Sequence, residues 1–254
     1  MKITVITLFP DMVQGFINES IVKRAQERKQ VEIEIVNLRD FALDSYGTVD
    51  GRPYGGGAGM VMRPEPITKA IKSITNYELR NTKQKVILTS AKGKVYDQKK
   101  AQELSKLDHL IIIAGHYEGV DERIMDKIDE EISVGDFILT GGEIPAGLIV
   151  DSVVRLLPGV LKKDEATKEE SFFDVDISEL LQAMGENKDL EKLVLKNIKS
   201  VKLLEYPQYT RPDVFEGKSV PEVLLSGDPK KIRKYQLTQA FLETKRKRPD
   251  LLEI

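Results

Sequence analysis

The run Leu110-Ile111-Ile112-Ile113-Ala114, followed at once by Gly115-His116-Tyr117-Glu118-Gly119, constrains this chain more than any other feature. Successive residues of a strand face opposite sides, so a run that is apolar throughout must be covered on both. Such a strand sits inside a parallel sheet with helices on either face. The flanking segments agree. Ile3 to Leu8 is β-rich, Val31 to Val36 alternates apolar and acidic residues as a half-exposed strand does, and Lys85 to Thr89 is a further short strand. Helical spacing separates them. Val13, Phe16, Ile17 and Ile21 form one amphipathic stripe, and Asp97 to Ser105 reads as a helix capped by Asp97. Strands alternating with helices predict an α/β domain with a mainly parallel sheet.

A longer helix is expected after Gly141-Gly142-Glu143, with Pro145 in its first turn and Pro158-Gly159 as its stop. Two adjacent apolar tracks, Ile149/Val153/Leu156 and Val150/Val154/Leu157, need burial on two sides, by a thick core or by another subunit. Residues 162–170 are polar and read as a linker. Ile177 to Met184, Leu190 to Ile198, Pro221 to Leu225 and Pro229 to Thr244 read as helices, whereas Tyr206 to Pro212 resists regular structure.

Composition removes whole classes of chemistry. The 254 residues include no Cys and only two His, His109 and His116. Disulfides, thiolate zinc sites, iron–sulfur clusters and thiol nucleophiles are excluded, and only an oxygen-liking ion such as Mg²⁺ stays open. Pro10-Asp11 stops the N-terminal apolar run, which is no secretory signal, and no run approaches the roughly 20 residues of a membrane span. The expected home is the cytoplasm. Net charge is only −2, yet Lys230 to Arg248 holds eight basic residues against Glu243 alone. That cationic stretch suits nucleic acid or a merely solvated helix face.

Four segments carry candidate chemistry. Residues 51–62 place five glycines in nine positions (51–59), without the Lys-Ser/Thr of a P-loop or the spacing of a dinucleotide fingerprint. Leu88 to Gly93 and Ala114 to Arg123 each follow a predicted strand, and Ser133 to Glu143 is again glycine-rich. Parallel sheets bind ligands at the carboxyl ends of their strands, so these loops point to one site.

Together, Gly51 to Pro66, Gly115-His116-Tyr117-Glu118-Gly119-Val120-Asp121-Glu122-Arg123, Ser133 to Pro145, Arg155 to Leu161 and Tyr206 to Pro212 resemble the bacterial tRNA (guanine-N1-)-methyltransferases, the TrmD family. The resemblance implies a homodimer with a trefoil-knotted N-terminal domain, residues 1–161, that holds S-adenosylmethionine bent. It implies a small helical C-terminal domain, residues 203–254, that grips tRNA. The implied reaction methylates N1 of guanosine 37, beside the anticodon, after a preceding guanosine and with Mg²⁺ in support. The implied partners are tRNA and a second copy of the chain, with neither membrane nor DNA. Carried over residue by residue, the cofactor would meet Leu88, Thr89, Ser90, Gly115, Tyr117 and Glu118. Around its adenine would lie Ser133, Val134, Gly135, Asp136, Phe137, Ile138, Leu139, Gly141 and Gly142.

Methylation at N1 expels a proton and builds charge on O6, so it calls for a general base and a guanidinium. The family's Arg is Arg155 here, which could equally form an i,i+4 pair with Asp151. The family's Asp before Ser-Phe is replaced by Glu170, the expected base, with Glu169 and Asp174 in reserve. A second departure is residues 173–202, where the family runs almost directly from Ser-Phe into Leu-Leu-Glu-Tyr-Pro. This reads as an amphipathic helical insertion in the linker, serving as a cover, as tRNA surface or as decoration. Tyr206 and Tyr209 suit either stacking on RNA or packing of a loop. A knotted methyltransferase for another RNA position, a binding-only relative and, more remotely, a nucleotide hydrolase are the competing readings.

Overall fold

The computed structural model describes residues 1–75, 83–162 and 170–252. It divides into two compact units, Met1–Lys163 and Asp164–Ile254. The elements of the first are β1 (Lys2–Thr7), α1 (Pro10–Ile17), α2 (Ser20–Glu27), β2 (Glu32–Asn37), β3 (Asp50–Gly51), β4 (Val61–Met62), α3 (Pro64–Ile74), β5 (Gln84–Val95), α4 (Gln98–Leu104), β6 (His109–Ala114), β7 (Glu130–Ser133) and α5 (Glu143–Val154).

Five of these strands form one sheet in the order β2-β1-β6-β5-β7, with every pair parallel. β6 is buried at all six positions, as its unbroken apolar run requires. Its Leu110, Ile112 and Ala114 pack with Ile3 and Val5 under α1, α2 and α5, while Ile111 and Ile113 join Ile67, Ala70 and Ile71 of α3 on the other face. The unit is therefore three layers with the sheet in the middle.

Three details depart from the sequence reading. The stripe from Val13 to Ile21 spans two helices, because Glu19 is extended (φ −128°, ψ 160°), and Phe16 is left half-exposed. Leu88 to Gly93 is not a loop after a strand: it lies inside β5, which continues to Val95 through a register shift against β7 between Thr89 and Lys94. Gly93 crosses the Glu131–Ile132 backbone so closely that no side chain fits there. Both apolar tracks of α5 turn inward: Ile149, Val150, Val153, Val154 and Leu157 are all buried in one core. The chain's own core covers these five, whereas Leu156, the remaining residue of the tracks, is half-buried.

The second unit contains β8 (Phe173–Asp176), α6 (Ile177–Met184), α7 (Lys188–Leu195), β9 (Ser200–Leu203), β10 (Val214–Phe215), β11 (Lys218–Ser219), α8 (Glu222–Leu225) and α9 (Pro229–Lys247). β8 pairs antiparallel with β9, closing α6 and α7 into a loop of structure. Segment 173–202 packs with the C-terminal helices. Its Phe173, Val175, Leu180, Leu190 and Leu193 share one core with Leu237, Ala240 and Phe241 of α9. The hairpin β10–β11 was not expected from the sequence; its residues are exposed.

Candidate active site

The middle of β5 (Leu88 to Lys92) and the loops that follow β6 and β7 enclose a cavity of about 260 Å³. The middle wall follows β6. Gly115 N–H donates to Thr89 Oγ1 at 3.1 Å, and the Thr89 hydroxyl donates to the carbonyl of Ile113 at 3.2 Å. Tyr117 is held at φ +59°, a left-handed conformation unusual for a tyrosine and typical of backbone kept for function. The loop is anchored at its far end by Asp121, which caps the following turn and takes two guanidinium hydrogen bonds from Arg123. Those bonds hold the Asp121 carboxyl down to about 2.

The glycine-rich segment 51–62 braces this wall from outside and contributes no residue to the cavity lining. Glu118 N–H donates to the Met60 carbonyl at 3.0 Å and Met62 N–H to the Gly119 carbonyl at 2.9 Å. The third wall, 133–142, returns from edge strand β7 to the head of α5. There Gly142 N–H donates to the Gly115 carbonyl at 2.6 Å. A Cβ on Gly142 would run into the Thr89 hydroxyl and come within 2.6 Å of the Gly115 nitrogen. Only glycine lets two loops pass this closely.

Of the fifteen residues expected to meet the cofactor, fourteen line this one cavity: Leu88, Thr89 and Ser90; Gly115, Tyr117 and Glu118; and Ser133, Val134, Gly135, Phe137, Ile138, Leu139, Gly141 and Gly142. Asp136 is the exception, exposed and off the lining. The charged lining residues are Lys92 against Glu118, Glu122 and Glu131, so the cavity favours a cationic ligand. Phe137, Ile138 and Tyr117 are exposed at its rim, 56%, 83% and 41% respectively.

Neither expected catalytic residue is among those that line the cavity. Arg155 is the C-cap of α5, its N–H on the Asp151 carbonyl at 3.1 Å, and it is half-buried in the first unit. Glu170 belongs to the second unit and is also half-buried. Glu169 lies outside the described residues. Asp174, the other reserve, pairs with Lys202 across β8 and β9 at 3.1 Å and serves the hairpin. Next to Glu170, the Ser171 hydroxyl accepts from Glu205 N–H at 3.1 Å, and Phe172 stands at φ +78°.

The cavity also holds residues that the sequence reading gave no role, among them Lys92, His116, Glu122 and Glu131. His116 lines the cavity, and Glu143, at the first turn of α5, is 1% exposed directly behind it. Glu143 looks in sequence like any acid favouring a helix N-terminus. No spacing rule joins it to His116.

The acidic, glycine-cradled cavity fits S-adenosylmethionine, which carries a sulfonium and an ammonium. Mg²⁺ finds no such fit: among the described residues no group of three or more His, Asp or Glu side chains is placed to hold an ion. None of the described helices is long and apolar enough to cross a membrane.

Comparison with known proteins bears on all of these features at once. The model of the tRNA (Guanine-1)-methyltransferase TrmD family matches residues 1–254. The chain is 48% identical over 253 residues to the tRNA (guanine-N(1)-)-methyltransferase of Dictyoglomus turgidum, covering 100% of this chain and 90% of that protein. It is 47% identical to the Clostridium botulinum (strain Alaska E43) enzyme of the same name (99% and 92% covered) and 46% identical to that of Moorella thermoacetica (99% and 90%). With a parallel sheet, a glycine-walled cavity at its carboxyl edge and a match from end to end, the chain belongs to the TrmD family of tRNA (guanine-1)-methyltransferases.

Proposed function

We propose that this protein methylates N1 of guanosine 37 of tRNA, next to the anticodon, with S-adenosylmethionine as donor. The cavity carries the reading: fourteen of the expected residues, from β5 and two separate loops, converge on one space walled in part by glycine backbone. Backbone N–H and C=O groups of 133–142 suit the edge of a planar adenine. Glu118, Glu122 and Glu131 suit the positive end of the cofactor. When bound there, S-adenosylmethionine supplies an electrophilic methyl on sulfur.

The protein's own residues handle the proton and the charge. As the N1–CH₃ bond forms, the N1 proton passes to the Glu170 carboxylate, and the Arg155 guanidinium holds the charge that builds on O6. The extra methylene of Glu over Asp moves the basic oxygen by about one bond length. N1 is a Watson–Crick atom, so the base must leave the anticodon stack. The exposed apolar rim of Tyr117, Phe137 and Ile138 is suited to receive it.

The trefoil knot is supported by the path of 133–142, which returns from edge strand β7 to bond Gly115 and Thr89 at the sheet's centre. Residues 1–161 hold the cofactor, and the helical C-terminal unit contacts tRNA. Six of the eight cations from Lys230 to Arg248 are paired with Asp228, Glu179, Asp189, Glu243 and Asp250. That pairing makes α9 a solvated face first and an RNA surface second. The homodimer is supported by Phe9, Met12, Phe16, Ile144 and Leu148, which expose an apolar patch on α1, α5 and the loop before α1, beside a groove lined by Phe16, Ile144 and Leu148. A tRNA substrate is consistent with the cytoplasm.

The direct test is nucleoside mass spectrometry of an unmodified tRNA transcript incubated with the protein and S-adenosylmethionine. The expected result is 1-methylguanosine from a guanosine-37 transcript and none from an adenosine-37 control. Cofactor binding without any methylated nucleoside would overturn it.

A further inference from the structure

Four buried side-chain atoms among the described residues have no hydrogen-bond partner: Gln30 Oε1, His109 Nδ1, His116 Nδ1 and Glu143 Oε2. Only His116 and Glu143 face each other. Their atoms stand 3.6 Å apart, a few tenths of an ångström beyond a hydrogen bond. One is a nitrogen able to donate, the other an oxygen able to accept. Glu143 is already fixed on its other oxygen by the Thr7 hydroxyl at 2.9 Å, and is 1% exposed. The His116 backbone N–H donates to Met62 Sδ at 3.2 Å, and its ring meets those of Phe9 and Tyr117 at 4.9 and 4.8 Å. Among the described residues, Glu143 is the acid within 4 Å of the imidazole; Phe9, Met62 and Gly141 are neutral, and Tyr117 meets it edge-on.

The two residues belong to different walls of the cavity. His116 precedes Tyr117 and Glu118, and Glu143 follows Gly141 and Gly142. Gly141 pairs with His116 as an isolated bridge, and a Cβ there would strike both His116 Nδ1 and Glu143 Oε2. Nothing but the missing side chain keeps the gap free to close.

We propose that His116 and Glu143 are positioning residues: the Nδ1–H···Oε2 hydrogen bond forms when the cavity is occupied and clasps the 115–121 wall to the head of α5. The clasp sets Tyr117 and Glu118 against the ligand without touching the reacting atoms. The inference rests on the S-adenosylmethionine reading of the cavity.

Two histidines make the test clean. In ¹⁵N-histidine NMR of the wild-type protein, saturation with S-adenosylhomocysteine moves the His116 Nδ1 signal to that of a hydrogen-bonded N–H, while His109 stays in place. Glu143→Gln raises KM for S-adenosylmethionine about tenfold or more, the loss of one hydrogen bond to a charged group, and leaves kcat within about twofold. An unmoved His116 signal in the saturated wild-type protein overturns the clasp, whatever the variant does. So does a folded Glu143→Gln enzyme with wild-type KM. If the wild-type protein binds neither S-adenosylmethionine nor its homocysteine product, the cofactor reading itself falls and takes the clasp with it.

Discussion

Gly142 shows at the scale of one residue how tightly this cavity is built. Its missing Cβ leaves room for the Thr89 hydroxyl and the Gly115 nitrogen, both of which bound the site. Gly142→Ala must push the two loops apart, and its S-adenosylmethionine affinity is expected to fall more than about 100-fold, since a misplacement of 1 Å is costly in a preorganised site. Isothermal titration calorimetry measures this, with circular dichroism confirming the fold. Glu170 is the opposite kind of residue, one whose proposed role is chemical. Glu170→Gln keeps the shape and removes the base, so kcat should drop by at least about 10²-fold while S-adenosylmethionine still binds. A single-turnover assay with labelled cofactor separates the two effects. The glycines were evident in sequence as loops but not as contacts: what each one meets comes from another strand's end.

At the scale of elements, α4 is tied to β5 and β7 by a small ion network. Lys85 and Lys100 both contact Glu103 and Glu130 at 2.7 to 3.1 Å. Hydrogen bonds from Lys100 and Lys85 hold the Glu103 carboxyl down to about 2 from an ordinary 4.5. A carboxyl lowered by folding adds stability above its unfolded value and loses it as pH falls through the folded one, here between about 4.5 and 2. Glu103 is half exposed, so water and salt screen the pairs, and Glu103→Gln should cost under about 1 kcal/mol at pH 7. Urea melts should show that difference at pH 7 and lose it at pH 2. The second unit depends instead on packing. Leu193 of α7 is fully buried in the core that also holds Phe241 of α9. Leu193→Ala should destabilise that unit by about 2–5 kcal/mol, seen as an earlier unfolding transition in calorimetry. α6 keeps its expected bounds and α9 extends to Lys247, because strong amphipathic or capped runs state their ends locally; Asp228, for instance, caps α9 through Lys230 and Lys231 N–H. β5 was read too short, because Ser90-Ala91-Lys92-Gly93 has turn composition and only the neighbouring β7 keeps it extended.

For the whole molecule, the open question is what covers the patch around Leu148. The inward tracks of α5 are satisfied within the chain, so the outward residues Ile144 and Leu148 are what a second copy would cover. For the proposed homodimer, Leu148→Asp should shift sedimentation from dimer to monomer.

The sequence by itself determined the α/β class, the parallel sheet around Leu110 to Ala114, the glycine loops at its carboxyl edge and the family, because each is written in contiguous residues. Periodicity, capping and motif order need no partner from elsewhere in the chain. Tertiary structure alone decided that fourteen residues from β5 and two loops share one cavity while Asp136 lies off its lining. It alone joined 173–202 to the core of α9, paired the cations of α9 with carboxylates, and set His116 against Glu143. These are contacts between segments far apart along the chain, and burial, packing and charge pairing act on distance in space, which no local pattern of residues encodes.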